Sequence, residues 1–203
     1  KFVTGVIIGV ESTAHTFSFG LVTEEGIPRK SYSALYRPKE GGIHPREAAD
    51  HHSNLASQLI SRLMEEESLA SNDVKAIAYS QGPGLGPCLR IGANVSRALS
   101  EQWEIPLVGV NHCVAHIEIG RNQTGCIDPV LLYVSGGNTQ VIARAGDRYQ
   151  VLGETLDIGI GNMLDKFART QGLAFPGGPK IEQLAREWHE LNPEADVDLV
   201  ELP

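Results

Sequence analysis

Val6-Ile7-Ile8-Gly9-Val10-Glu11-Ser12-Thr13-Ala14-His15-Thr16 joins a β-branched run, a turn of small polar residues and the start of a second run. The same order returns at Val130-Leu131-Leu132-Tyr133-Val134-Ser135-Gly136-Gly137-Asn138-Thr139, and residues 139–143 resume the strand pattern. Short β-branched runs bounded by small polar residues read as strands. Each stretch is therefore a strand, a polar turn and a returning strand. A unit that occurs twice in one chain predicts two related lobes facing one cleft.

The segments between and after the two repeats predict an α/β chain. Residues 16–22 form the second strand, Glu24-Glu25-Gly26 a turn, and residues 31–36 a third strand. Gly41-Gly42 breaks the chain, and Pro45 suits the first turn of a helix, where its missing N–H costs nothing. Ala48, His52, Leu55, Leu59 and Leu63 carry that helix to about residue 67 at helical spacing. A strand at 76–79, a rigid turn at 82–87, a helix with Leu89, Val95 and Leu99 inward, and a strand at 107–110 follow, with a helix directly behind. After the second repeat, a helix over 159–171 places Ile160, Met163, Leu164, Phe167 and Ala168 on one face. Another over 180–191 turns Ile181, Leu184, Ala185 and Trp188 inward, and the acidic, Pro-containing end reads as a linker. The first lobe is expected at 1–128 and the beginning of the second at 129–203.

The bulk properties narrow the function classes. With 203 residues, 41% hydrophobic and 21% charged, the chain can bury one good core or two small lobes. No apolar run approaches bilayer length, so no membrane association is expected. The first residues lack the features of a signal peptide, and Lys1 in place of Met suggests a processed or trimmed start. Cys88, Cys113 and Cys126 are scattered without a CxxC pair, which fits a reduced, cytoplasmic compartment. A net charge of -8 argues against a free-standing nucleic-acid binder, because phosphate neutralisation needs a basic surface.

Three places carry chemistry. His112 and His116, at i and i+4 of one helix, have the spacing of two ligands to one metal. Surface or capping histidines share that spacing. Residue 113 is Cys, so the HExxH pattern with its glutamate base is missing. His44, Glu47 and His51 are also helically spaced, though polar residues at a helix start and on a solvated face explain them more simply. Ser135-Gly136-Gly137-Asn138-Thr139 follows a strand, and paired glycines there expose backbone N–H groups to an anion; an ordinary hairpin turn would look the same. Asp165 sits beside the apolar stripe of its helix, where Gly161 leaves room, and Gly177-Gly178 precedes a helix with Glu182 in its first turn. The two acids could hold a ribose or an amine, or serve the helix termini alone.

The segments Glu11-Ser12-Thr13-Ala14-His15-Thr16, Gly42-Ile43-His44-Pro45-Arg46-Glu47-Ala48-Ala49, Gln81-Gly82-Pro83-Gly84-Leu85-Gly86-Pro87, Asn111-His112-Cys113-Val114-Ala115-His116, Tyr133-Val134-Ser135-Gly136-Gly137-Asn138-Thr139-Gln140 and Gly153-Glu154-Thr155-Leu156-Asp157-Ile158-Gly159-Ile160-Gly161-Asn162 occur in that order. Together they resemble the tRNA threonylcarbamoyladenosine transferase family in its archaeal-type form. That form is the catalytic subunit of the KEOPS complex and was once described as an O-sialoglycoprotein endopeptidase.

The resemblance implies an actin/Hsp70/sugar-kinase (ASKHA) fold of two RNase H-like lobes. It implies transfer of a threonylcarbamoyl group from threonylcarbamoyl-AMP to N6 of the adenosine beside the anticodon. The tRNAs concerned read codons that begin with adenine. Carried over residue by residue, it makes His112, His116 and Tyr133 metal ligands. Tyr133, Val134, Ser135, Gly136, Gly137, Asp165, Gly178 and Glu182 become nucleotide or ribose contacts, and Glu11 the residue that orients the reacting groups.

The expected cofactor is one divalent metal ion, Fe2+ with Zn2+ or Mg2+ as alternatives, beside threonylcarbamoyl-AMP, ATP or AMP. The expected partners are tRNA, through the complex, and KEOPS subunits that include a kinase-like protein. Family members continue past residue 203 with a further loop and a metal-completing aspartate, so the sequence reads as stopping within its second lobe. A metallopeptidase and a non-catalytic nucleotide-binding fragment are the rival readings.

Overall fold

The computed structural model describes residues 5–38 and 42–194. Gly41 and most of the acidic end read above as a linker lie outside the described residues. The chain divides into two compact units, Lys1–Pro129 and Val130–Pro203.

The first unit is a five-stranded mixed sheet with three helices. β1 (Val6–Glu11), β2 (Thr16–Thr23) and β3 (Pro28–Leu35) form an antiparallel meander; β4 (Val74–Gly82) and β5 (Leu107–Asn111) add in parallel, giving the order β3-β2-β1-β4-β5. α1 (Pro45–Glu66) and α2 (Gly86–Trp103) supply the parallel crossovers, and α3 (His112–Thr124) follows β5 without a break. The strand period of two decides the layers. Val6, Ile8 and Val10 of β1 and Phe17, Phe19 and Leu21 of β2 turn to one face and are buried. There they meet Ala56, Leu59 and Leu63 of α1 and Ile91, Val95 and Leu99 of α2. Phe17 and Phe19 pack edge to face with centroids 5.4 Å apart; burying each stabilises the unit by roughly 1.5–3 kcal/mol. The alternate residues Gly9, Glu11, Ser18 and Gly20 face the other way, toward the site.

Residues 83–85 connect β4 to α2, as the sequence predicts for a rigid turn. Leu85 N–H donates to the Thr13 carbonyl at 2.7 Å, which ties this connection to the turn after β1.

In the second unit β6 (Leu131–Val134), β7 (Thr139–Ala145) and β8 (Arg148–Glu154) form an antiparallel meander, followed by α4 (Ile160–Thr170) and α5 (Gly177–Leu191). The sequence reading left out β8. Its signal is Gly146-Asp147, because a tight hairpin needs positive φ and Gly146 adopts +66°. The face predicted to turn inward on α5 is also corrected, and the apolar face of α4 is only partly covered. Phe167, Leu184 and Trp188 are 51%, 51% and 45% exposed. Within the unit the two helices meet through small residues, Ala168 beside Gly177, so the large apolar side chains are only half covered. Among the described residues no helix is long and apolar enough to cross a membrane.

Candidate functional site

In the first unit, β1, β4 and α3 bring Glu11, Ser80, His112 and His116 together at the carboxyl end of the parallel strands, where open α/β sheets place ligands. α3 starts at His112 because Asn111 caps it. The Asn111 side-chain oxygen accepts from Cys113 N at 2.9 Å and Val114 N at 3.2 Å, satisfying two of the helix's orphan donors. One turn later His116 lies over His112, with ring centroids 4.6 Å apart and the Nε2 atoms 3.2 Å apart.

That separation fits a shared ion. Two imidazole nitrogens bound at about 2.0–2.1 Å in a tetrahedral shell lie roughly 3.3 Å apart. His112 Nδ1 is 3.1 Å from Glu11 Oε2. A carboxylate accepts only, so His112 Nδ1 carries the proton of that bond, and Nε2 is the ring nitrogen turned toward His116. Among the described residues no third His, Cys, Asp or Glu joins the pair to complete a shell. Tyr133 belongs to the second unit, on β6, and is buried.

Glu11 is a shared acceptor. Oε1 takes the Thr13 N–H at 2.6 Å, and Oε2 takes the Ser80 hydroxyl as well as His112. Burial raises the carboxyl, but the hydrogen bonds from His112, Ser80 and Thr13 outweigh it and hold Glu11 at about 2. It therefore stays ionised at every physiological pH. Burial, and then the neighbouring His112, push His116 below its ordinary 6.5, which keeps it neutral and able to ligate. A cavity of about 780 Å³ opens beside this group along the sheet face, floored by Gly9, Gly20 and Ala78 and walled by Ala115 and Ile119 of α3.

His44, Glu47 and His51 do not form one site. Glu47 accepts from the Tyr36 hydroxyl at 2.5 Å, while His51 Nδ1 meets His52 Nδ1 at 3.3 Å. His52, missed as a polar contributor by the sequence reading, is fully buried and bonds through Nε2 to the Ala14 carbonyl at 2.9 Å. It thereby pins the turn that follows Glu11.

In the second unit the Ser135–Asn138 turn closes on itself. Ser135 N–H donates to the Asn138 carbonyl at 2.9 Å, the Ser135 hydroxyl donates to the same oxygen at 2.9 Å, and Asn138 N–H donates back to that hydroxyl at 3.1 Å. Among the described residues, neither Gly136 N–H nor Gly137 N–H reaches an acceptor. Two adjacent unspent N–H groups make a concavity for an anion. Asp165 Oδ1 accepts from Gly177 N–H at 2.7 Å, at the start of the helix that carries Gly178 and Glu182. Glu182 is exposed and pairs with Arg186 one turn on. The unit thus places Asp165 against the first residue of α5, Gly177, while Glu182 faces solvent.

The family model for tRNA N6-adenosine threonylcarbamoyltransferase matches residues 29–200. The chain belongs to this family. A tRNA N6-adenosine threonylcarbamoyltransferase from Archaeoglobus fulgidus is 58% identical over 182 residues, 90% of this chain and 55% of that protein. A probable bifunctional tRNA threonylcarbamoyladenosine biosynthesis protein from Thermoplasma acidophilum is 54% identical over 186 residues, 92% of this chain and 35% of that protein. The chain thus spans about half, or a third, of the length of the curated relatives it matches.

Among solved structures, YeaZ from Pseudomonas aeruginosa superposes with a TM-score of 0.52 at 16% identity, over 75% of this chain and 67% of that one. The ethanolamine utilization protein EutJ from Carboxydothermus hydrogenoformans gives 0.52 at 17%, over 96% of this chain and 74% of that one. At such identities the likeness concerns the fold, which is α/β of the actin/Hsp70/sugar-kinase type.

Proposed function

We propose that this chain holds the metal and the nucleotide of an acyltransferase. That enzyme moves threonylcarbamoyl from threonylcarbamoyl-AMP to N6 of the adenosine beside the anticodon, in tRNAs reading codons that begin with adenine. The observation that carries the reading is the convergence of His112 Nε2 and His116 Nε2 at 3.2 Å, with Glu11 behind His112. His112, His116 and Tyr133 would hold one divalent ion, with Fe2+ the expected metal. Such an ion, when bound, polarises a carbonyl or phosphate oxygen.

The chain's own residues supply the rest. Glu11 fixes the tautomer and ring orientation of His112. The Gly136 and Gly137 N–H groups receive the phosphate of the acyl-adenylate, beside Val134 and Ser135. Asp165, Gly178 and Glu182 form the ribose side. The tRNA amine is the nucleophile, so the mechanism calls on no serine or cysteine. Glu11 already accepts three hydrogen bonds, which suits an orienting group and ill suits the water-activating base of a peptidase.

Partners are part of the proposal. With a net charge of -8, tRNA recognition falls to an assembly such as KEOPS with its kinase-like subunit. The bifunctional name of the T. acidophilum relative is compatible with such a second module. The experiment is threonylcarbamoyl transfer to tRNA by the full-length protein with its partners, alongside elemental analysis of the His112→Ala/His116→Ala double variant. Loss of both metal and transfer is expected. Full metal content in the double variant refutes the site, and peptide cleavage without transfer refutes the reaction.

A further inference from the structure

Glu11 depends on the turn that follows it. Its Oε1 takes the Thr13 N–H at 2.6 Å, and Thr13 lies between β1 and β2. Two hydrogen bonds tether that turn, one from His52 to the Ala14 carbonyl and one from Leu85 N–H to the Thr13 carbonyl. Two glycines then seat it. A Cβ on Gly84 would lie 2.6 Å from the Thr13 carbonyl oxygen, 2.7 Å from Thr13 Cβ and 2.9 Å from Thr13 Cα. A Cβ on Gly92, on the buried side of α2, would strike Ser12 Oγ and lie 3.0 Å from Ser12 Cβ. Neither glycine has a positive φ, so space rather than backbone conformation excludes a side chain. Glycine inside a helix is costly next to alanine, and the close approach of Ser12 is what offsets that cost at position 92. Gly86, on the same connection, differs: a Cβ there would meet nothing within 4 Å.

The two contacts flank one peptide bond. Gly92 faces Ser12 and Gly84 faces Thr13, and the peptide between Ser12 and Thr13 carries the N–H that holds Glu11. Carbon atoms pack at roughly 3.5–4.0 Å, so clearing Thr13 Cβ from 2.7 Å takes a shift of about 0.8 Å or more. Such a shift carries the 2.6 Å bond to Glu11 out of the ordinary hydrogen-bond range. We propose that Gly84 and Gly92 are positioning residues of the metal site. By leaving room for Ser12 and Thr13 they aim the Thr13 N–H at Glu11, and through Glu11 they orient His112. This inference rests on the metal reading of His112 and His116.

The test is a double-mutant cycle on the full-length protein, with Zn2+ as the probe and a chromophoric chelator as competitor. Gly84→Ala should bind Zn2+ about tenfold more weakly, the lower end of what disturbing the partner behind a ligating histidine costs. In the Glu11→Ala background the same substitution should change affinity by less than about twofold, because the side chain it acts through is gone. Gly92→Ala should behave alike, and it carries the test if Gly84→Ala does not fold by circular dichroism. Adding Ser12→Ala to Gly92→Ala should recover most of the loss, since Ser12 Oγ makes no hydrogen bond among the described residues. Gly86→Ala is the control, with affinity unchanged. A loss as large without the Glu11 side chain as with it overturns the inference, by showing a merely structural role. Wild-type affinity in both glycine variants overturns it too and leaves the metal site intact. Zn2+ binding that is the same in wild type and in His112→Ala/His116→Ala removes the metal reading, and this inference with it.

Discussion

Replacing Glu11 by Gln should weaken metal binding without touching a ligand. Glu11 accepts from Thr13 N–H at 2.6 Å, from His112 Nδ1 at 3.1 Å and from the Ser80 hydroxyl. Glutamine offers one carbonyl oxygen and one NH2 group. If the oxygen keeps Thr13, an amide N–H faces His112 Nδ1. The imidazole then moves its proton to Nε2, and the lone pair that faces His116 at 3.2 Å is lost. Removing such a carboxylate behind a ligating histidine typically costs 10–100-fold in metal affinity, or about 1.4–2.7 kcal/mol. A competition titration against a chromophoric chelator reads that range directly on the full-length protein. Affinity within twofold of wild type, with the fold intact by circular dichroism, would show that Glu11 does not set the His112 tautomer.

Two further outcomes test the supports of the site. Asn111→Ala removes the acceptor of Cys113 N–H and Val114 N–H; urea unfolding should show about 1 kcal/mol of lost stability, and an unchanged midpoint counts against the cap. His52 is buried, and burial first of all pushes it below 6.5, against the hydrogen bond to the Ala14 carbonyl and the more distant Glu11, with His51 and His15 adding to the downward shift. The unfolded chain therefore takes up the proton more readily than the folded one. Stability should be complete above about pH 6.5 and decline as pH falls below it. His52→Gln should flatten that decline between pH 7.5 and 5.5, and an equally steep loss in the variant would place the pH dependence elsewhere.

Much of the fold is legible in the sequence because it is local. The β-branched run at residues 6–10, the helical spacing of Leu55, Leu59 and Leu63, and Pro45 at a helix start each concern neighbours within a few residues. The structure returns them as β1 and α1. β8 escaped notice because Arg148–Glu154 mixes charged, polar and apolar residues, and only the positive φ of Gly146 marks its hairpin. The inward face assigned to α5 was read from amphipathicity alone. Periodicity identifies an apolar side but not how much surface exists to cover it, and Trp188 is left half exposed.

The site divides along the same line. His112 facing His116 follows from one helical turn, so sequence spacing alone determines it. The family follows from ordered motifs that together carry enough identity to exclude chance. Glu11 meeting His112 across 101 residues is a tertiary fact: it requires β1 and β5 to flank β4 in register, and no periodicity encodes a parallel partner. The glycines show the same division. The Gly136-Gly137 pair of the turn can be picked out in the sequence. That Gly159 and Gly161, twenty or more residues on, leave no room for a Cβ is decided by the tertiary structure, because a helix end is docked on the turn's backbone. A sequence specifies which residue lacks a Cβ; which backbone fills the vacated space depends on how the chain packs.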